Sequence, residues 1–524
     1  MERARSRRSQ GTPTVKRQAP RPVTVVRKTG SRRAANSKRT SVETAVTPAA
    51  PPSKAARVRA TRHSETAIET VEIRPSAMIF TRRKADRQPV VHVPQMPDKP
   101  FEQPAWMRGE CRVAPARAGD QHEILQLLQV LSSPPSRSEF HAAVDHPDHD
   151  SANRLVARLG GRIIGHAEIH PRNIFVGAGI ARAAILDRIA ILPECRGAGH
   201  GRRLVEAAEE RMRDIRSAFA ITRTRAPASF QEMGWSVLGR DTATSGRPAS
   251  ILARLLDSPQ RSGEPVTMRQ WRHVELPAIL RIFRQNASSF VGPSDRGENY
   301  SRWLVSRGAF DSILVALVGQ DRYDLYETTA RIVGYCVQSG NRVLELLADP
   351  EFPGLEREIL ARVCGEAIES DWREILLESS IADPLHRAVT GQDAAPGGSD
   401  RMLVAKLFDA RALLEAVVSA IGPRLGSAGI RETIELGLET AAFRGSVVFN
   451  ASTGTATLQP GRVGRSYLRL DDSELVRLLL NQCDPCEAAA AGRLSASTQI
   501  AVRFAGMLFP RIPLWAPMWD DRPA

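Results

Sequence analysis

Three glycines at two-residue spacing, Gly197, Gly199 and Gly201, separate an apolar run from an amphipathic segment rich in charge. Glycines leave successive backbone N–H groups unshielded, and a helix that follows directs the positive end of its dipole at the same place. Such an arrangement stabilises a negatively charged group. Residues 191–212 therefore predict an anion-binding turn at the start of a helix.

Two common phosphate-binding motifs do not match this turn. A Walker A loop continues with Gly-Lys-Ser or Gly-Lys-Thr, whereas Gly199 is followed by His200, Gly201 and Arg202. A dinucleotide fingerprint opens the first strand–helix–strand unit of its segment, whereas this turn comes after a predicted hairpin. We therefore exclude both classes of nucleotide-binding protein.

Metal and redox sites are also weakly supported. The six cysteines are too few and too scattered for a disulfide framework, which favours the reducing cytoplasm. The pair "CDPC" at 483–486 has no second pair, and we interpret it as chance. The cluster "HAAVDHPDHD" at 141–150 lacks helical ligand spacing, and we interpret it as an exposed loop. We predict no metal cofactor.

The elements around the turn follow from hydrophobic periodicity. "GDQHEILQLLQVL" predicts a helix after Asp120, and "RLVARLGGRIIGHAEIHPRNIFV" predicts two strands joined at Gly160 and Gly161. "ARAAILDRIAIL" predicts a further strand that leads into the turn, and the helix follows. The predicted fold class is α/β, with a mixed sheet whose central strand ends at the anion site.

The positive charge of the chain belongs to its first hundred residues. Residues 1–100 hold 23 Lys and Arg against 7 Asp and Glu, and the remainder holds 50 against 51. This segment has few large apolar residues, so it cannot offset the entropy of ordering. We predict a disordered basic tail over 1–105. Its contacts with nucleic acid or with an acidic surface are expected to be weak, because aromatic residues for base stacking are nearly absent.

The turn in its context resembles the acetyl-CoA motif [QR]-x-x-G-x-[GA] of the GNAT superfamily of N-acetyltransferases. The residues that match this motif are Arg196-Gly197-Ala198-Gly199-His200-Gly201, which lie between the predicted strand "IAIL" and the predicted helix "GRRLVEAAEERM". The resemblance implies that backbone N–H groups of residues 197–202 hold the pyrophosphate of acetyl-CoA, and that the main chain of the strand pairs with the pantetheine arm. The implied cofactor-binding residues are Ile189, Ile191, Arg196, Gly197, Ala198, Gly199, His200, Gly201 and Arg202.

Two further residues bear on catalysis. Asp187, on the cofactor strand, is a candidate base for the ammonium proton, and the competing interpretation is a surface carboxylate paired with an arginine. The segment 224–238 resembles the part of GNAT enzymes that carries a tyrosine general acid. Phe230 stands at the corresponding place and has no proton to give.

The rest of the chain extends the resemblance. Residues 264–408 resemble a degenerate second GNAT-like domain, and 409–524 resemble a sterol-carrier-protein-like α+β domain. This order, after a catalytic domain at 106–258, is similar to that of the enhanced-intracellular-survival (Eis-like) acetyltransferases. In that family the C-terminal carboxylate can act as a base, which here would be that of Ala524.

The predicted function is acetyl transfer from acetyl-CoA to a small-molecule or peptide amine. The alternative is a regulatory module that binds acyl-CoA or carries lipid without turnover. This alternative stays open because Phe230 replaces the tyrosine general acid and because 409–524 resemble a carrier domain. No segment reaches the length of an apolar membrane span. The family resemblance implies a homo-oligomer, and we expect the cytoplasm as the location.

Overall fold

A computed structural model describes most of the chain beyond residue 104. The described residues are 105–107, 109–131, 134–257, 263, 265–319, 330–391 and 397–521. They all lie in one compact unit, 96–524. The predicted tail falls almost wholly outside the described residues, and so does Ala524.

The first part of the unit begins with a short strand, continues with two helices and then builds the predicted hairpin. Its elements are β1 (Arg112–Pro115), α1 (Gln121–Leu128), α2 (Arg137–Val144), β2 (Arg154–Leu159), β3 (Arg162–Val176), β4 (Gly179–Ile191), α3 (His200–Asp214), β5 (Phe219–Thr224), α4 (Pro227–Gln231), β6 (Ser236–Gly246) and α5 (Pro248–Leu256).

The second part follows a similar order, with strands around a long helix. Its elements are β7 (Val266–Gln270), α6 (Leu276–Ala287), β8 (Val291–Ser294), α7 (Glu298–Ser306), β9 (Ser312–Val318), β10 (Arg331–Ser339), β11 (Arg342–Ala348), α8 (Leu355–Glu369), β12 (Ile375–Glu378), α9 (Leu385–Thr390) and β13 (Gly398–Leu407).

The third part packs helices on a separate five-stranded sheet of order β16-β15-β14-β17-β18. Its elements are α10 (Ala410–Ser427), β14 (Ile434–Glu439), β15 (Arg444–Asn450), β16 (Thr455–Pro460), β17 (Tyr467–Leu470), α11 (Asp472–Leu479), α12 (Pro485–Ala490), β18 (Leu494–Ala496), α13 (Gln499–Leu508) and α14 (Met518–Asp521).

The structure confirms the predicted α/β class and its local elements. The hairpin forms at Gly160 and Gly161, and both residues have positive φ, as a tight turn requires. In the second part the stretch at 266–270 is the strand β7, and the first α-helix begins at Leu276. None of the described helices is long and apolar enough to cross a membrane.

A single mixed sheet runs through the first two parts. Its order is β1-β2-β3-β4-β5-β13-β6-β12-β11-β10-β9-β7, with β8 paired to β3. The strand β13 therefore lies between β5 and β6, although it is the last strand of the second part in sequence, and it is antiparallel to both. The strand β6 in turn pairs with β12. The two parts are thus joined by backbone hydrogen bonds.

The third part also shares its interior with the first. Ala183 and Phe219 on the sheet belong to the same buried cluster as Leu414 and Val418 on α10. Because apolar burial drives such packing, the helix α10 covers the face of the first sheet that α1 and α3 leave open.

The last residues of the chain run between all three parts. Backbone carbonyls of this C-terminal segment, residues 510–521, accept hydrogen bonds from side chains of each part. The donors and acceptors are Asn481 to Pro510 (2.7 Å), Gln482 to Ile512 (2.8 Å), Arg223 to Ala516 (2.8 Å), Ser380 to Leu514 (3.0 Å) and Arg307 to Trp519.

A buried arginine fixes the end of this segment. Arg296 donates two hydrogen bonds to the carboxylate of Glu345, at 2.8 and 2.6 Å, and its Nε lies 2.9 Å from the Asp520 Oδ1 atom. Tyr335 donates to Glu345 (2.6 Å), and Tyr300 donates to Asp520 (3.1 Å). The side chains of this charged triad are at most 3% exposed. Water cannot replace a lost partner here.

We expect Arg296→Met to lower the free energy of unfolding by about 3–5 kcal/mol, because it leaves two buried carboxylates without their cation. Urea unfolding monitored by circular dichroism measures the change. Arg302→Met is the matched control: Arg302 pairs with Glu298 on the surface of α7, where a pair contributes about 1 kcal/mol or less. Equal effects of the two substitutions would contradict this account.

Candidate functional site

The central strands of the first part separate at their carboxyl ends. The strands β4 and β5 pair in parallel only over Ala183–Ile185 and Phe219–Ile221. Beyond this point β4 contains a bulge, since Arg188 and Ile189 lie opposite the single residue Ala167 of β3. Arg188 has φ +49°, which is unusual for a residue other than glycine. The separation opens the sheet.

A cleft of about 1180 Å³ begins at this opening. The first part lines it with Asp187, Arg188 and Ile189 from β4, with residues 222–225 at the end of β5, and with Phe230. The second part lines the opposite side, where Asp311, Arg342 and Glu378 lie. Leu514, Trp515, Ala516 and Met518 of the C-terminal segment complete the wall. The cleft is large enough for a drug-sized molecule.

The glycine-rich turn lies between the end of β4 and the start of α3. Gly197 and Gly199 both have φ +80°, which L side chains rarely adopt, and a Cβ built on either would meet no atom within 4 Å. Gly199 is the N-cap of α3, a helix of 15 residues. The turn thus combines exposed backbone, open space and the positive end of a helix dipole, as the sequence predicts for an anion site.

Two of the side chains at the turn have further contacts. His200, the first residue of α3, buries its Nδ1 atom without a hydrogen-bond partner among the described residues. Arg202 is exposed and lies 3.4 Å from Glu232. An unpartnered buried nitrogen next to exposed N–H groups fits a ligand with several acceptor oxygens, such as a diphosphate. The residues present therefore fit the cofactor that the sequence resemblance implies.

Two of the predicted strand residues differ in their backbone surroundings. Ile191 is paired with Gly165 of β3, and its carbonyl oxygen also accepts a hydrogen bond from Arg196 Nε at 3.2 Å. Ile189 lies within the bulge and lines the cleft. Of these two residues, only Ile189 lines the cleft. In the turn that follows β4, Arg196 and Ala198 are exposed.

A buried charged group supports the bulge from behind. Glu168 on β3 lies 2.8 Å from Arg154 and 3.2 Å from Arg188. Burial acts to raise the pKa of Glu168, but the charges of His170, Arg188 and Arg154 outweigh it and hold the pKa below its usual range. The Nδ1 atom of His166 donates to the carbonyl oxygen of Arg188 at 3.0 Å. Burial lowers the pKa of His166 to about 4, so it is neutral at pH 7.

The two catalytic candidates within the described residues both reach the cleft. Asp187 is exposed, and within the described part of the chain its carboxylate makes no ion pair. The interpretation of Asp187 as a base stays a prediction. Phe230 is 8% exposed, and its ring packs edge-on against Trp235 at 5.3 Å between centroids.

The clusters that the sequence offered as metal or redox sites take other roles. His146 is buried: its Nδ1 accepts from the Asp148 N–H at 2.9 Å, and its Nε2 lies 2.9 Å from Arg172. Burial, together with the charge of Arg172, lowers its pKa to about 2. Cys483 donates to Glu474 at 3.0 Å. Among the described residues, no three His, Cys, Asp or Glu side chains are grouped to bind a metal ion.

The described residues of the second part contain no comparable turn. Its helix α8 also begins after a left-handed glycine, Gly354 (φ +90°), but the first turn carries Glu356 and Glu358. Carboxylates there repel an anion. Ser379 lies on the cleft wall 3.1 Å from His386 Nε2, yet that nitrogen also lies 2.9 Å from the carbonyl oxygen of Ser380 and must donate to it. His386 therefore cannot act as a base toward Ser379.

The sequence did not single out three features of the site. No local signal marks the positive φ of Arg188, because arginine is not a turn-forming residue. Asp311, directly before β9, and Glu378, the last residue of β12, line the cleft and follow no motif. The C-terminal segment did carry a signal, since "PLWAPMW" at 513–519 is too apolar and aromatic for a solvated end.

Comparison with known proteins agrees with this geometry. Residues 122–235 match the model of the acetyltransferase (GNAT) family. The matched residues contain the hairpin, the bulged strand, the turn and α3. No curated protein sequence matches the chain.

Several solved structures are similar to the described fold over almost their whole length. A GCN5-related N-acetyltransferase from Kribbella flavida has a TM-score of 0.59 at 17% identity, and one from Anabaena variabilis has 0.59 at 15%. Eis1 from Mycobacterium abscessus has 0.51 at 16%. Each comparison covers 78% of this chain and 99% of the other. At these identities the similarity shows the fold.

We expect Gly199→Glu to abolish binding of acetyl-CoA, because it adds a carboxylate where the turn would hold the pyrophosphate. The positive φ adds a backbone cost of about 1–2 kcal/mol. Calorimetric titration with acetyl-CoA measures the affinity. Gly492→Glu is the matched control, since Gly492 also has positive φ (+71°) and open space but lies in the third part. Unchanged affinity in the Gly199 variant would refute the anion site.

Proposed function

We propose that this chain transfers an acetyl group from acetyl-CoA to an amine. One observation carries the proposal: the glycine-rich turn lies directly after β4, the strand that separates from β5 to open the cleft. The GNAT match over 122–235 supports the same reaction class. A bound cofactor would thus have its anionic part at the turn and its reactive end at the opening.

The residues that would hold the cofactor are those of the turn and of the bulged strand. We infer that backbone N–H groups of 197–202 bind its pyrophosphate and that Ile189 in the bulge pairs with its pantetheine arm. When bound, acetyl-CoA supplies an activated thioester. The bulged residues of β4 line the cleft, and we infer that a main-chain N–H there stabilises the charge that develops on the carbonyl oxygen.

The protons of the reaction need an acceptor and a donor. An ammonium substrate loses two protons as its nitrogen–carbon bond replaces the carbon–sulfur bond; one is taken up by the departing thiolate and one is released. We infer that Asp187, unpaired and on the cleft wall, accepts the first proton. Phe230 cannot return a proton to sulfur, so we infer that water or another group of the cleft returns it.

The C-terminal carboxylate is a second candidate base. Ala524 lies outside the described residues, but the segment that precedes it lines the cleft at Trp515, Ala516 and Met518. Three residues follow Asp521, the last residue of α14, and they can span about 10 Å. This reach supports the proposal that the Ala524 carboxylate enters the cleft.

The finer assignments are part of the same proposal. The domain order supports a tandem GNAT-like protein of the Eis-like type, with 106–258 catalytic, 264–408 degenerate and 409–524 similar to a sterol carrier. The acidic first turn of α8 supports a second part without a cofactor site. A homo-oligomer, a cytoplasmic location and a weakly binding basic tail stay predictions.

The reaction is tested by release of free thiol from acetyl-CoA in the presence of a panel of polyamines and aminoglycosides. We expect release that depends on both the amine and the protein, together with the acetylated amine in mass spectra. Binding of acetyl-CoA without release for any amine would instead support the alternative, a regulatory or lipid-carrier module without turnover.

We expect Phe230→Tyr to raise kcat for amine acetylation and to leave the affinity for acetyl-CoA nearly unchanged. A general acid contributes about 10²–10⁴-fold in rate, and tyrosine adds one near the proposed position of the sulfur with almost the same volume. Steady-state kinetics measures the change. Phe352→Tyr, in the second part and away from the cleft, controls for the added hydroxyl. A slower Phe230 variant of a fast wild-type enzyme would show that another group donates the proton.

A further inference from the structure

The cleft wall carries charges of both signs in equal number. Among the described residues, its lining includes six carboxylates and six guanidinium groups. Because these charges cancel, the net electrostatic field of the wall does not attract a ligand that carries only positive charge. The acidic residues are Glu139, Asp187, Asp241, Asp311, Glu378 and Asp400, and the basic residues are Arg188, Arg223, Arg225, Arg240, Arg342 and Arg401.

Four of the arginines are held in ion pairs of the protein. Arg223 pairs with Asp241 at 2.7 Å and Arg225 with Asp400 at 2.5 Å. Arg342 pairs with Glu378, and Arg188 pairs with Glu168 behind the wall. These cations are already neutralised, so they offer little to a ligand.

Arg240 differs from them. It is exposed on β6, and within the described residues its guanidinium has no carboxylate partner. Its Nε atom lies 3.4 Å from the sulfur of Met402, which is a weak acceptor. The planar guanidinium of an arginine carries parallel N–H donors. In a concave site these donors can bind two oxygens of a carboxylate or a phosphate.

The sheet register places Arg240 at the same end of the sheet as the opening. Arg240 lies opposite Met402 of β13, which lies opposite Thr224, the last residue of β5. Two strand spacings of about 4.8 Å put the Arg240 backbone about 10 Å from the end of β5. The long arginine side chain can cover part of this distance.

Carboxylates lie on the other sides of the same cleft. Asp187 on β4 makes no ion pair among the described residues, and Asp311 accepts only a backbone N–H, that of Gly340. The carboxylates of Asp187 and Asp311 can therefore pair with an ammonium group near the opening. Arg240 lies several ångströms away, and its guanidinium, which has no carboxylate partner among the described residues, can pair with an anionic group.

We propose that the acceptor amine also carries a carboxylate or a phosphate, which Arg240 binds while the amine lies at the opening between β4 and β5. This inference rests on the proposed acetyl transfer and specifies its substrate class. Amino acids, peptides with a free carboxylate near the amine, and phosphorylated amino sugars belong to this class, whereas simple polyamines do not.

Two matched pairs of amines test the proposal on the full-length protein. Lysine and cadaverine differ only in the α-carboxylate, and glucosamine 6-phosphate and glucosamine differ only in the phosphate. We expect kcat/KM for the acid-bearing member to exceed that of its partner by about tenfold or more in at least one pair, since the anion gains charge-assisted hydrogen bonds. The pair that shows the preference identifies the anion.

The Arg240→Gln variant tests whether Arg240 causes the preference for the acid-bearing amine. We expect the ratio of kcat/KM within the preferred pair to fall toward one, with acetyl-CoA affinity unchanged in calorimetry, whereas Arg503→Gln on the exposed surface of α13 keeps the wild-type ratio.

Ratios of one or less in both pairs would overturn the inference and leave acetyl transfer intact. An Arg240 variant with weakened acetyl-CoA binding would also overturn it, because Arg240 would then serve the cofactor. Failure of every amine to release thiol would overturn the proposed function itself.

Discussion

The parallel pairing of β4 and β5 stops after three residues, and the cleft depends on that interruption. A sheet that continued to pair would leave no room between its central strands. The bulge at Arg188 and Ile189 prevents it by turning β4 away, and the buried carboxylate of Glu168 stabilises the bulge through its ion pair with Arg188. A costly backbone conformation therefore persists because buried charge surrounds it.

The opening is bounded by residues from all three parts of the unit. The first part provides β4 and the glycine-rich turn, and the second provides a wall with acidic and basic side chains. The C-terminal segment fills the space between them, and its carbonyls accept hydrogen bonds from side chains of each part. A segment held at so many points can keep the cleft wall fixed while the turn stays exposed.

The sequence predicted correctly the elements whose structure depends on residues only a few positions apart. The hairpin at Gly160, the strand β4, the glycine-rich turn and α3 lie within a continuous stretch whose periodicity and turn residues act over a few positions. It could not find the insertion of β13, because a strand's partner about 180 residues away leaves no mark on its own pattern. For the same reason it identified Asp187 but not the opposing Asp311 or the unpaired state of Arg240.

The position of β13 has a consequence for biosynthesis. While the chain emerges from the ribosome, β5 and β6 are made long before the strand that joins them. Until residue 407 is available, both strands keep unpaired edges, which are prone to aggregate. A gene truncated after α5 would therefore encode the first part without the strand that pairs with both β5 and β6. Contacts so distant in sequence also favour slow folding.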